Sequence, residues 1–190
     1  MKRYMLLFNL IGLAFAIASC AGNGQTNDST TSDSAQQETN TGSAPSVSIS
    51  DVPEVIPAFT FFKANSGIKF TQDDLAKKGN IVLIFFDPGC SHCQDETRDI
   101  GKNYQKVKTA NFYFIAMQDP SLMEGFINTY GGELKGKDNV TLLYDRNMEF
   151  LPKFNPKQYP AVYVYGSDRK LRAHWDGEKK IDEIITAINL

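Results

Sequence analysis

The sequence predicts an α/β fold, with a mixed central sheet covered by helices on both faces. Strand-like and helix-like segments alternate from about Asp51, and the chain ends in a hairpin and a helix. The continuous apolar run at residues 81–86 is typical of a strand buried on both faces. With 42% hydrophobic and 22% charged residues in 190, the composition is that of an ordinary globular protein with a substantial core.

The first part of the domain precedes this central strand. Two short strands are predicted on either side of an Asn-Ser-Gly turn, at residues 58–62 and 68–70. Thr71, followed three residues later by Asp74, fits a capping pattern and predicts a short helix ending near Gly79. The strand at 81–86 then leads directly into two cysteines.

The second part continues the alternation. Spacings of four and three after the cysteines predict a helix carrying Cys93, Thr97, Ile100, Tyr104 and Val107. A strand is predicted at 111–117. Asp119 and Pro120 then provide an N-cap and a first-turn proline. The apolar face expected for that helix consists of Leu122, Phe126, Ile127 and Tyr130.

The last part closes the sheet. We expect a strand at 140–144, a short helical piece around Phe150 and Leu151, and a hairpin of strands 161–165 and 170–175 around a Gly-Ser-Asp turn. The final amphipathic helix carries Ile181, Ile184, Ile185 and Ile188.

The N-terminus has the pattern of an export signal. Lys2 and Arg3 precede a mostly apolar run at 5–18, and small residues stand just before Cys20. The run is shorter than the about 20 apolar residues of a membrane span. We therefore expect a signal peptide at 1–19 that is cleaved rather than retained.

The residues before Cys20 resemble the bacterial lipobox, and the resemblance implies a lipid on the Cys20 thiol. The alternative is an ordinary secretory peptide in which Cys20 is incidental. Residues 20–50 are almost entirely polar, which predicts a flexible tether with a reach of roughly 30 Å. The folded domain is expected at 51–190.

The formal net charge of −2 excludes a chain-wide basic field for nucleic acid.

Cys90 and Cys93 are the remaining cysteines, and four kinds of site are compatible with a pair at this spacing. A metal site needs two more soft ligands, but the sequence has only His92 and His174 besides. Haem attachment needs histidine where Gln94 stands. A purely structural disulfide across two residues adds little stability. A redox pair, in a compartment where disulfides persist, is favoured.

The position of the pair at a helix start supports redox chemistry. Backbone N–H groups and the helix dipole favour a thiolate there. Ser91 and His92 lie between the cysteines and tune the motif, since His92 adds a positive charge when protonated. Cys90 is predicted to be the exposed nucleophile, and Cys93 the buried resolving thiol.

The buried strand, the CxxC motif with its helix, and the late Tyr159-Pro160 before a hairpin resemble the thioredoxin superfamily, in particular its TlpA/ResA-like extracytoplasmic reductases. The resemblance covers 52–190 and implies a thioredoxin-like fold. It implies that Pro160 is a cis-proline against the disulfide and that the backbone of Tyr159 pairs with substrate. Glu96 matches an acid that exchanges protons near the resolving thiol.

The sequence departs from this family at several positions. Gly89 stands where tryptophan is common, so the substrate platform is expected to be more open. Ile84 replaces the buried aspartate of thioredoxin, and Arg98 replaces a proline that usually follows the acid. A trans Pro160 and a solvated Glu96 remain the alternatives at those positions.

The expected function is a membrane-tethered thiol–disulfide oxidoreductase of the bacterial cell envelope, with its domain in the periplasm. Its expected partners are cysteine-containing exported proteins and a thiol-redox partner, with no cofactor, metal or nucleic acid. We expect the protein to reduce substrate disulfides rather than to form or isomerise them. The Ser91-His92 pair, however, favours oxidation or isomerisation. Among the aromatic residues, Phe150, Phe154 and Tyr159 are expected near the site.

Two alternative functions exist for a domain of this fold. One is a thioredoxin-like binding or chaperone module without redox turnover. The other is a peroxide-consuming relative, which requires a PxxxTxxC arrangement that the residues before Cys90 do not provide.

Overall fold

A computed structural model describes residues 51–190. Within this range seven strands form one mixed sheet in the order β2-β1-β5-β4-β3-β6-β7. The strands are β1 (Thr60–Lys63), β2 (Lys69–Thr71), β3 (Ile81–Phe85), β4 (Asn111–Ala116), β5 (Val140–Tyr144), β6 (Ala161–Tyr165) and β7 (Leu171–Asp176). The predicted fold class, a mixed sheet in an α/β domain, is confirmed.

Five α-helices are found in the same range. They are α1 (Ser91–Lys102), α2 (Tyr104–Val107), α3 (Pro120–Tyr130), α4 (Phe150–Phe154) and α5 (Ile181–Ile188). In the described residues no helix is both long and apolar enough to cross a membrane.

Strand β3 is central to the sheet. It runs parallel to β4 and antiparallel to β6, and all five of its residues are buried. Val82 and Ile84 enter the core on one face of the sheet, whereas Leu83 and Phe85 enter the core on the other face. This burial on both faces explains why the strand is apolar without interruption.

The first core lies between the sheet and helices α1, α3 and α5. Its buried helical residues include Ile100 of α1 and Ile184 of α5. In α3 the buried face is formed by Met123, Phe126 and Ile127, whereas Leu122 is 56% exposed. The prediction that Leu122 lies on the apolar face is wrong, because a helix beginning at Pro120 turns position 123 toward the sheet together with 126 and 127.

The second core, on the other face, is built from aromatic rings. Phe150 of α4 stacks on Phe85 at 4.4 Å and on Phe154 at 4.3 Å between ring centroids. Asp145 holds this short helix by accepting backbone N–H bonds from Glu149 and Phe150, at 2.9 and 2.8 Å. Phe150 and Phe154 are fully buried in this core, so the expectation that they ring the cysteine site instead of packing in the core is wrong.

The helix expected between Thr71 and Gly79 is much shorter than predicted. Thr71 and Asp74 form the capping box, with the Thr71 N–H donating to the Asp74 carboxylate at 2.8 Å. Only one 3-10 turn follows, because Leu75 adopts an extended backbone and buries its side chain in the second core. Tertiary burial of one leucine therefore overrides the local helix signal.

The aromatic stack gives a test of the second core. We expect Phe150→Ala to reduce the free energy of unfolding by about 3–5 kcal/mol, because it leaves a cavity between stacked rings. Leu151→Ala is the matched control, since Leu151 is the next residue and is 41% exposed. Chemical denaturation measures both variants, and an equal loss for the two would contradict this account of the core.

Candidate redox site

Cys90 occupies the N-cap position of α1. Its backbone is extended, with φ −80° and ψ 120°, and its Sγ accepts the backbone N–H of Cys93 at 3.4 Å. A sulfur thus takes the place of the oxygen that usually caps a helix. The helix start directs positive electrostatic potential at this sulfur, which stabilises negative charge on it.

The two thiols differ in their environment. Cys90 is half-buried, whereas Cys93 is 1% exposed, and both are free thiols in the structure. Burial raises the pKa of the Cys93 thiol far above its ordinary value, and its hydrogen bond with Cys90 raises it further. Cys90 is therefore the thiol placed to meet a partner, and Cys93 is the thiol that stays protonated.

Asp87 organises the turn that carries the motif out of β3. Its backbone carbonyl accepts the Cys90 N–H at 3.1 Å, and its Oδ1 accepts the Gly89 N–H at 2.7 Å. Its Oδ2 accepts a hydrogen bond from the Gln118 side chain at 2.5 Å, which ties the turn to the loop after β4. Gly89 is exposed at the tip of this turn and leaves the face beside Cys90 without a bulky side chain.

Glu96 lies one helical turn after Cys93 and is 2% exposed. Its Oε2 accepts the backbone N–H of Lys179 at 3.1 Å, while its Oε1 is buried with no hydrogen-bond partner. Burial raises the pKa of Glu96 from 4.5 to about 8; the Lys179 N–H opposes this rise and the negative charge of Glu178 adds to it. The alternative of a solvated Glu96 is wrong, and the carboxyl is neutral near pH 7.

Tyr159 and Pro160 lie on the loop before β6. The peptide bond between them is cis, and the Pro160 carbonyl accepts the Gly177 N–H at 2.7 Å. The Tyr159 ring packs against Phe85 with centroids 5.0 Å apart. Burial, together with electrostatic interactions with Asp87 and the two cysteines, raises the pKa of the Tyr159 hydroxyl. The Tyr159 side chain thus belongs to the surroundings of the cysteine pair.

The two residues between the cysteines are exposed. Ser91 is the first residue of α1, and His92 forms an ion pair with Glu178 when its ring is protonated, with 2.8 Å between Nδ1 and Oε2. A cleft of about 340 Å³ opens beside them. It is lined by His92, Gln158, Tyr159, Asp176, Gly177 and Glu178.

Several residues of this site were not expected from the sequence. Glu178 and the backbone of Lys179 come from the segment between β7 and α5, 86 and 83 positions from their partners. No local sequence pattern identifies contacts between residues that lie so far apart in the chain. No sequence pattern singles out Asp87 or Gln118 as a residue of the site. Cys20 and the segments 1–19 and 20–50 lie outside the described residues. Residues 51–190 contain no group of three or more potential metal-binding side chains.

Solved structures share this fold. A secreted Mycobacterium tuberculosis disulfide oxidoreductase homologous to E. coli DsbE is 24% identical, with a TM-score of 0.57, and the match covers 69% of this chain and 94% of the other. M. tuberculosis DsbF is also 24% identical, with a TM-score of 0.59 and coverage of 73% and 97%. Peroxidoxin BcpB from M. tuberculosis is 15% identical, with a TM-score of 0.60 and coverage of 73% and 96%. No curated protein sequence matches the chain significantly.

The fold and the paired thiols at a strand-to-helix junction define a thioredoxin-like redox protein, which confirms the resemblance to the thioredoxin superfamily. Residues 52–174 match the model of the AhpC/TSA family. The chain belongs to the AhpC/TSA family.

The environment of Cys90 differs from the PxxxTxxC pattern of peroxide-consuming relatives. The threonine and proline of PxxxTxxC fall on Asp87 and Leu83. Leu83 is buried in the second core, and the Asp87 carboxylate is engaged with Gly89 and Gln118. Neither position therefore offers the proline or the hydroxyl donor of that pattern.

The buried acid predicts a pH dependence of stability. The folded-state pKa of Glu96 is raised, so between pH 4.5 and about 8 the unfolded chain has released a proton that the folded chain keeps. The unfolding free energy contributed by Glu96 therefore falls as pH rises through this window, by about 5 kcal/mol in total.

Denaturation of the wild type and of Glu96→Gln across pH 4–9 measures this contribution as the difference between the two proteins. The glutamine keeps the shape of the side chain and an acceptor for the Lys179 N–H. A difference that stays constant with pH would contradict the raised pKa.

Proposed function

We propose that the protein is a membrane-tethered thiol–disulfide oxidoreductase of the bacterial cell envelope that acts on disulfides of exported proteins. The observation that carries the proposal is the asymmetry of the cysteine pair. Cys90 caps α1 and is accessible, whereas Cys93 is buried one turn below, next to a neutral acid. In this arrangement Cys90 can attack a substrate disulfide, and Cys93 can then resolve the mixed disulfide that forms.

The first step is attack on a substrate disulfide. The Cys90 thiolate forms a new S–S bond with one substrate sulfur, the substrate S–S bond breaks, and the other substrate sulfur leaves as a thiolate that takes up a proton. Charge on the Cys90 sulfur is stabilised by the Cys93 N–H and the start of α1. The open turn at Gly89 and the loop at Tyr159 provide the surface that the substrate contacts.

The second step is resolution by Cys93. Its sulfur attacks Cys90 in the mixed disulfide, and the second substrate sulfur leaves as a thiol. Glu96 is mostly neutral near pH 7, and the minor fraction that is ionised accepts the proton of the Cys93 thiol and passes it to solvent or to the leaving sulfur. The substrate gains two electrons and two protons, and the protein is left with a Cys90–Cys93 disulfide that a thiol-redox partner must reduce.

The cell envelope is proposed from the N-terminal sequence. The export signal at 1–19, the lipobox-like Cys20 and the polar tether to residue 50 support a lipid-anchored domain in the periplasm. The similarity to a secreted disulfide oxidoreductase is consistent with this location. The proposed partners are cysteine-containing exported proteins and a thiol-redox partner in the envelope.

Trapping tests the exchange reaction. Cys93→Ala should accumulate mixed disulfides through Cys90, because attack proceeds while resolution is lost. Cys90→Ala should form none, because Cys93 is buried. Non-reducing gels after quenching with a thiol-blocking reagent separate the outcomes. If neither variant forms mixed disulfides, the protein is a binding or chaperone module.

The reduction potential tests the direction. We propose reduction, and expect the Cys90–Cys93 pair to have a potential near or below about −230 mV. The full chain carrying Cys20→Ser, equilibrated with graded glutathione or dithiothreitol buffers, gives this value. A potential of about −120 to −180 mV would instead indicate an oxidase or isomerase.

A further inference from the structure

Strands β3 and β7 end, and strand β6 begins, at the same level of the sheet. Ala161 pairs with Phe85 on one side and with Asp176 on the other. Phe85 is the last residue of β3, from which the chain leads to the CxxC motif. Ala161 is the first residue of β6 and follows the proline loop, residues 157–160. Asp176, the last residue of β7, therefore lies level with both segments of the redox site.

The end of β7 holds the proline loop at three points. The Asp176 Oδ1 accepts the Lys157 N–H at 2.9 Å, and the Asp176 carbonyl accepts the Gln158 side-chain amide at 3.0 Å. The N–H of the next residue, Gly177, donates to the Pro160 carbonyl at 2.7 Å. Three of the four loop residues are thus hydrogen-bonded to Asp176 or to its neighbour.

We propose that Asp176 is a positioning residue of the redox site, which holds the proline loop in the position where a substrate chain contacts it. This inference rests on the proposed function, in which that loop is part of the surface that the substrate contacts. It deepens that function by naming the side chain that fixes the loop. Asp176 has no chemical step of its own in the proposed reaction, so it acts through the loop.

The surroundings of the Asp176 carboxylate restrict its movement. Its side chain is 19% exposed, and His174 Nε2 lies 3.4 Å from the same oxygen that accepts the Lys157 N–H. The His174 ring in turn packs against the Tyr163 ring, with centroids 4.4 Å apart. A partly buried carboxylate keeps its hydrogen bonds because their loss would leave its charge uncompensated. The bond to Lys157 is therefore a fixed feature of the folded protein.

The end of β7 also approaches the loop closely. Gly177 is buried at φ +84°, and a Cβ at this position would lie 2.4 Å from the Gln158 side-chain nitrogen. Glycine therefore lets the two segments meet directly. On the other side of the loop, the Tyr159 ring packs against Phe85. The proline loop is thus held between the ends of β7 and β3.

The experiment compares the reactions of two disulfides with the reduced full chain carrying Cys20→Ser. One is a fluorescent peptide with a single internal disulfide, which can contact the proline loop through its backbone. The other is dithiodipyridine, an aromatic disulfide without a peptide backbone. Asp176→Ala should slow attack of Cys90 on the peptide about tenfold, because the contact surface is misplaced. Attack on dithiodipyridine should be unchanged, since this reagent does not use that surface.

Two further substitutions at the same position isolate the hydrogen bond. Asp176→Asn keeps an oxygen that accepts the Lys157 N–H and should restore the rate with the peptide. Asp176→Ser is too short to reach that N–H and should behave like Asp176→Ala. Asp168→Ala is the matched control, because Asp168 also accepts a backbone N–H, that of Lys170 at 3.2 Å, at the turn on the other end of the same hairpin. It should leave both rates unchanged.

Amide hydrogen exchange provides a readout that requires no turnover. The Lys157 amide should exchange about tenfold faster in Asp176→Ala than in the wild type or in Asp176→Asn, because it loses its acceptor. A merely destabilised fold would instead speed up exchange in the core strands as well.

Four results would overturn the inference: an unchanged rate with the peptide in Asp176→Ala, equal slowing with both disulfides, no rescue by Asp176→Asn, or equal slowing by Asp168→Ala. Failure of the proposed function would appear differently. Mixed disulfides would be absent in Cys93→Ala, while faster Lys157 exchange in Asp176→Ala would still show that Asp176 holds the loop.

Discussion

Burial of β3 on both faces is the constraint on which the site depends. The strand is held between β4 and β6 and packs against a core on each side, so its carboxyl end has a fixed position. Phe85 and Phe86 are both buried, and the chain emerges from the sheet only at Asp87. The turn that carries the cysteines therefore starts from a strand that is paired on both edges and buried on both faces.

Between β3 and α1 the backbone has few residues in which to change direction, and several hydrogen bonds hold it there. The Cys90 N–H bonds to Asp87, the Gln94 N–H bonds to the Cys90 carbonyl, and the Cys93 N–H bonds to the Cys90 sulfur. The helix start is thus completed by the reactive atom itself. In a helix N-terminus, where N–H groups lack intrahelical partners, this use of sulfur serves both folding and chemistry.

Local patterns predicted most of the fold. Three features could be predicted because the residues that form each of them are consecutive or nearly so in the sequence: the apolar run at 81–86, the Asp119-Pro120 cap and the closing helix. Leu75 could not be placed in this way, since its extended backbone follows from burial against distant strands. The cysteine pair was visible from spacing, but the partners of His92 and Glu96 were not, because only the strand order brings the segment after β7 beside α1.

The burial of the Glu96 carboxyl lowers the stability of the fold, so its presence at this position indicates a function. The position lies on the inner side of α1, in line with Cys93 and Ile100, where an apolar residue would be stabilising. The structure instead holds a carboxyl with one oxygen unpaired and a pKa of about 8. A glutamine would satisfy the Lys179 N–H without titrating. What distinguishes glutamate from glutamine here is an exchangeable proton near neutral pH, and in the proposed reaction Cys93, one turn away with its own pKa raised, is the group that needs a proton acceptor.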